Sequence, residues 1–184
     1  MITPEVKDTK VIFGACRLSY VHLFEKYSFD GRDDGKYSCN ILIPKEEKAT
    51  VKAIQQAIDN AYKAAKLSKW HGAEPKKFES PLHDGDEKDD EAFHGCYYLN
   101  AKSSTRPGIV NRKREPIVDE EEMYSGVWAN CSVTFFGFDT SGNKGISCGL
   151  NNLMKVKDGE YLGGRSSADT DFSGIDIDDE EEDL

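Results

Sequence analysis

No apolar run in this chain approaches the roughly 20 residues that span a bilayer, and Met1 to Lys10 lacks the apolar stretch of a signal peptide. A cytoplasmic protein without membrane contact is the expectation. The five cysteines, Cys16, Cys39, Cys96, Cys131 and Cys148, are odd in number and include no Cys-x-x-Cys pair, so neither a disulfide framework nor a zinc quartet is indicated. Each reads as a small, buried strand residue. His94 and Cys96 lie close in sequence, but nothing nearby completes a tetrahedral set. A Gly-rich phosphate loop, a nucleophile elbow and a recognisable pairing of His with Ser or Cys are also missing. Together these absences point away from an enzyme and predict no metal and no cofactor.

What the chain has in excess is acid, and the acid is concentrated. Its 184 residues hold 34 Asp and Glu against 24 Lys and Arg. Nine of those acids, and no base, fall between Asp169 and Leu184, so nearly the whole net charge of −10 sits there. A block of this kind repels itself and cannot bury enough apolar surface to offset its ordering entropy. Residues 165–184 are therefore expected to be a disordered acidic tail, and residues 1–164 a single globular domain. Phe172, Ile175, Ile177 and Leu184 are spaced among Asp176, Asp178, Asp179, Glu180, Glu181, Glu182 and Asp183, a pattern suited to docking on basic, partly apolar surfaces.

The body reads as strands with one long helix. Lys10–Leu18 is a strand that leads into an aromatic-rich connection over 19–27; Lys36–Pro44 alternates as a second strand. Apolar residues three or four apart from Glu46 to Ala65 predict an amphipathic helix. Residues 66–78 form a polar stretch in which bases and aromatics interleave around Trp70. Residues 81–95 are rich in acid, and the spacing departs from a calcium loop because Lys88 takes a ligand position; a solvated loop is expected. Cys96–Ala101 is a strand that opens into the basic stretch Lys102 to Arg114. In Ser125–Phe138 one stripe (Val127, Ala129, Cys131, Val133, Phe135) reads as core. The other (Trp128, Asn130, Ser132, Thr134, Phe136, Phe138) reads as an open face, and a turn over 139–144 returns the chain as Gly145–Met154.

A curved antiparallel sheet that displays aromatics beside bases is the arrangement by which OB-type barrels hold single strands: rings stack on bases while Lys and Arg follow the phosphates. The fold expected is thus mainly β with one long helix, an OB-fold antiparallel barrel with long hairpin extensions. The candidate DNA-binding residues are Arg17, Tyr20, Phe24, Lys26, Tyr37, Lys102, Arg106, Arg112, Lys113, Arg114 and Trp128. Two alternatives come from other classes. One is a metal-dependent nuclease or recombination enzyme using Asp84, Asp86 and Asp89; the other is an interaction or DNA-mimic module in which the tail is the active part.

Several motifs in order, Arg17-Leu18-Ser19-Tyr20 with Phe24, Asn40 to Lys45, Asp84-Gly85-Asp86, Asn100-Ala101-Lys102, Pro107 to Val110, Tyr124-Ser125-Gly126, Gly145-Ile146 and Leu150 to Leu153, resemble a family of tailed-phage single-stranded DNA-binding proteins. The resemblance runs from about Thr9 to Gly164. It implies an OB-fold core, single-stranded DNA as partner in phage replication or recombination, and a tail that recruits replication or recombination proteins. An edge strand could also pair across a homodimer, though no particular strand is singled out.

Overall fold

Eight strands of the chain join one sheet in the structure, a computed structural model that describes residues 1–28, 35–163, 168–175 and 177. They are β1 (Glu5–Lys7), β2 (Lys10–Tyr27), β3 (Lys36–Pro44), β4 (His83–Asp84), β5 (Cys96–Ser103), β6 (Gly108–Val110), β7 (Trp128–Thr140) and β8 (Asn143–Lys157). The helix α1 (Lys48–Leu67) lies between β3 and β4 in sequence. β2 pairs with β3 and β7, β3 with β5, and β7 with β8, all antiparallel. β8 then meets β5 in parallel through Ala101–Cys148 and Lys102–Gly149. Five strands therefore close on themselves as an OB barrel, with β1, β4 and β6 as short additions.

The inward stripe of each strand fills the barrel. Phe13, Leu18, Ile41, Leu99, Val133, Phe135 and Leu153 are essentially without exposure, each contributing roughly 1.5–3 kcal/mol of burial. The core stripe of β7 is as its alternation indicates. Cys16, Cys39, Cys131 and Cys148 are buried in the same interior, while Cys96 is half-buried. Desolvation pushes the Cys16 and Cys39 thiols up to about 12, so they stay protonated and inert. Helix α1 buries Ile54, Ile58, Ala61 and Ala65 against β1, β2, β7 and β8. Trp70, just beyond it, is buried, and its indole N–H donates to the Phe138 carbonyl at 3.0 Å. That ring is structural rather than part of an interleaved basic surface. No helix among the described residues is long and apolar enough to cross a membrane.

Two stretches differ from their sequence expectation. The connection after Leu18 is strand: β2 continues to Tyr27 through register shifts on either side of His22. Tyr20 sits there at φ 47°, and such a bulge re-phases the alternation, which hid the strand from a period-2 reading. The acidic stretch 81–95 is a built element rather than a solvated loop. It holds two 3-10 turns, each started by an aspartate (Asp84, Asp90) that accepts a backbone N–H two residues on. In the acidic tail, Ala168–Phe172 forms the short helix α2, and Phe172, Ile175 and Ile177 are exposed. Asp176, Asp178, Asp179, Glu180, Glu181, Glu182, Asp183 and Leu184 lie outside the described residues.

Candidate nucleic-acid interface

The outer face of the barrel follows from the register. On β3 and β5, Ser38 stands beside Lys102, Asn40 beside Asn100 and Leu42 beside Tyr98, all opposite in direction to the core positions. Next to this face the chain forms a groove of about 440 Å³. Its walls are β5, the start of β3, the segment from Lys77 to His83 and the β7–β8 hairpin. Four lysines line it, Lys36, Lys77, Lys102 and Lys144, with the rings of Phe136, Phe138 and His83.

Local sequence explains why the rings are available. Phe136 lies on the outward stripe of β7 and is 49% exposed. Opposite Phe138 and Phe136, β8 carries Gly145 and Ser147, and Gly149 follows opposite Thr134; these small residues leave a trough. A Cβ at Gly145 would come within 2.6 Å of the Phe138 ring, and one at Gly149 within 3.2 Å of Phe136. Ser141 (φ 53°) and Gly142 (φ 86°) give the hairpin the two left-handed positions of a type I′ turn, which suits the twist of the long ribbon. His83 stacks on Tyr98 with centroids 5.0 Å apart, and its burial holds the imidazole below its ordinary pKa. It is thus neutral near pH 7 and presents a flat face.

Of the residues singled out in the sequence, Lys102 lies in the groove. Four others form two cation–ring pairs near the paired ends of β2 and β3. The Lys26 ammonium is 5.9 Å from the Tyr37 ring centre, and the Arg106 guanidinium lies 5.2 Å over Phe24. Tyr20 is half-exposed on the outer face near Lys88 and Phe93. Arg17 donates to the carbonyls of Gly126 and Glu160, and Trp128, its cross-strand neighbour, lies under the Lys157 ammonium at 4.9 Å. Arg112, Lys113 and Arg114 occupy a separate turn ordered by the Asn111 side chain. Arg114 borders a different, apolar hollow with Ile2, Val110 and Met154. Lys36, Lys77, Lys144 and His83 were not singled out; the outward stripe containing Phe136 is the sequence signal on this side.

Two of the three carboxylates named for a metal, Asp84 and Asp86, are already engaged, while Asp89 is exposed. Lys45 Nζ lies 2.7 Å from both Asp84 Oδ1 and Asp86 Oδ2, and the Gly95 N–H donates to Asp86 Oδ1 at 2.7 Å. The Lys45 partner holds Asp84 below the usual carboxylate range; for Asp86 the Gly95 bond leads, with Lys45 second. Among the described residues no group of three or more His, Cys, Asp or Glu is placed to hold a metal ion.

Residues 9–184 match the family described as the single-stranded DNA-binding protein of Enterobacter phage Enc34. Protein p50 of Acyrthosiphon pisum secondary endosymbiont phage 1 is 29% identical over 184 residues, covering 94% of this chain and 97% of its own. The bacteriophage Enc34 single-stranded DNA-binding protein in complex with single-stranded DNA superimposes with a TM-score of 0.69 at 28% identity, over 85% of this chain and 91% of that one. The same phage protein in a second structure gives a TM-score of 0.71 at 26% identity, over 91% of each chain. With a match that runs over nearly its whole length, the chain belongs to the family of the phage Enc34 single-stranded DNA-binding protein.

Proposed function

We propose that this chain binds single-stranded DNA without sequence preference, holding one strand in the groove between β5 and the β7–β8 hairpin. The observation that carries this is the groove itself: four lysines converge on a trough whose rings, Phe136 above all, are open to solvent. Lysines follow a phosphate backbone as point charges, and a base of any identity offers a π-face to a ring. The strand continues past Lys36 and Lys102 toward Lys26, Tyr37, Arg106 and Phe24, the adjoining cluster of bases and rings. The first-bound strand draws less on Arg17, Tyr20, Trp128, Arg112, Lys113 and Arg114. The protein binds and does not cut, in support of which Asp84 and Asp86 are spent on Lys45.

The acidic tail resembles the ligand in charge. It occupies the groove when no strand is present, and it recruits replication or recombination proteins in the host cytoplasm when displaced. The reading is tested by titrating a fluorescent oligothymidine with the full chain and with a chain ending at Ala168, across a salt series. Binding by both, tighter without the tail and most so at low salt, is the expected result. Absence of binding by either chain would overturn it.

A further inference from the structure

The element between β4 and β5 shows its acids to solvent and hides its base. From Asp84 to Glu91 the chain carries Asp84, Asp86, Glu87, Asp89, Asp90 and Glu91 against Lys88 alone. Lys88 is turned inward: its ammonium is 4.7 Å from the ring centre of Phe93, 5.0 Å from Tyr98 and 5.5 Å from Tyr20. Three ring quadrupoles attract that cation, and Phe93 beneath it is wholly buried. Lys45 fixes the start of the segment through Asp84 and Asp86. What remains facing outward is Glu87, Asp89 and Glu91, all exposed, on a segment pinned from two sides.

The position of this segment gives it a consequence. His83, the residue before Asp84, lines the lysine groove, and Glu87 is near enough to act electrostatically on both His83 and Tyr98. We infer that the Asp84 to Glu91 segment is a negatively charged wall at the His83 end of the groove, which admits a single strand and repels the second backbone of a duplex. This rests on the groove being the single-strand site. A single strand turns its bases toward Phe136 and keeps its one row of phosphates over Lys36 and Lys102. A duplex brings a second row, and with both strands counted one charge falls about every 1.7 Å of axis. That row meets carboxylates. Screening confines the repulsion to about 8 Å at physiological salt, so the wall acts at close range and fades as salt rises.

The test is the triple variant Glu87→Gln, Asp89→Asn, Glu91→Gln, which keeps Asp84, Asp86, Lys45 and Lys88 and therefore the clamp. Its control, Glu5→Gln, Asp8→Asn, Asp59→Asn, removes the same charge from exposed positions on β1, the turn after it and α1. Each is titrated at low salt with an oligothymidine and with a duplex of equal length, after a melting curve confirms that it folds. The wall variant is expected to bind the duplex about tenfold tighter than the parent while single-strand affinity moves less than about threefold, and the gain is expected to shrink at higher salt. The control is expected to shift both ligands alike. Equal gains for duplex and single strand in the wall variant, or no duplex gain, would overturn the inference. Failure of the parent to bind single strands would instead strike the groove reading on which it rests.

Discussion

Phe136 stands half-exposed at the groove because its β7 position points outward and the strand opposite offers it glycine and serine. An apolar ring left open in this way contributes little to the core, so removing it separates binding from folding. Phe136→Ala is expected to weaken oligothymidine binding by roughly 1 to 3 kcal/mol, with the melting temperature almost unchanged. Fluorescence titration and a thermal melt on the same sample check both halves. His83 carries the second expectation at this scale. Burial disfavours its charged form, whereas phosphates laid beside it favour that form, so its pKa is higher in the complex than in the free protein. The complex then binds more protons than the free protein, and affinity rises as pH falls from about 7 toward 5.5. Replacing His83 by Gln should remove that part of the pH dependence; identical pH profiles for variant and parent would show that His83 does not face the strand. The charged and titratable groups around it are Tyr98, Glu79, Glu87 and Lys88.

The β7–β8 hairpin is the element that turns a barrel into a groove, and helix α1 holds it. Gly137, between the two phenylalanines, leaves no room for a side chain, because a Cβ there would run into Ala65 of the helix. Gly137→Ala is expected to cost roughly 1 to 3 kcal/mol of stability by overpacking, read as a lower denaturation midpoint. This hairpin was largely legible in the sequence: alternation from Val127 to Phe138, then Ser141-Gly142-Asn143, marked strand, core stripe and turn together, whereas Ser132 on the stripe expected to be open is buried. The helix was legible for the same reason, its period being unbroken. The far half of β2 was not, since the bulge at Tyr20 to His22 breaks the alternation that a sequence reading relies on. Nor was the acidic segment, whose order comes from partners distant in sequence, Lys45 and the rings of Tyr20 and Tyr98. Three of the four groove lysines, all but Lys102, escaped for a related reason. Lys36, Lys77, Lys102 and Lys144 are scattered along the chain and converge only when β5 closes against β8.

At the scale of the molecule, charge is sorted by place. The tail holds most of the net negative charge in sequence, the segment after β4 adds a fixed acidic edge, and the groove gathers lysines. A protein of net charge −10 is repelled as a whole by nucleic acid, so binding must depend on this local arrangement. Where the phosphates lie is the central question, and the salt dependence of binding answers it residue by residue. The decisive comparison sets the double variant Lys36→Gln, Lys102→Gln beside Arg112→Gln, Lys113→Gln, each titrated with oligothymidine over a salt series. If the strand lies in the groove, the first pair lowers the magnitude of the slope of log affinity against log salt by about 1.4, since each phosphate contact on a single strand is worth about 0.7, and the second pair leaves the slope near that of the parent. An unchanged slope for the groove pair, with the loss falling instead on Arg112 and Lys113, would contradict the groove as the binding site.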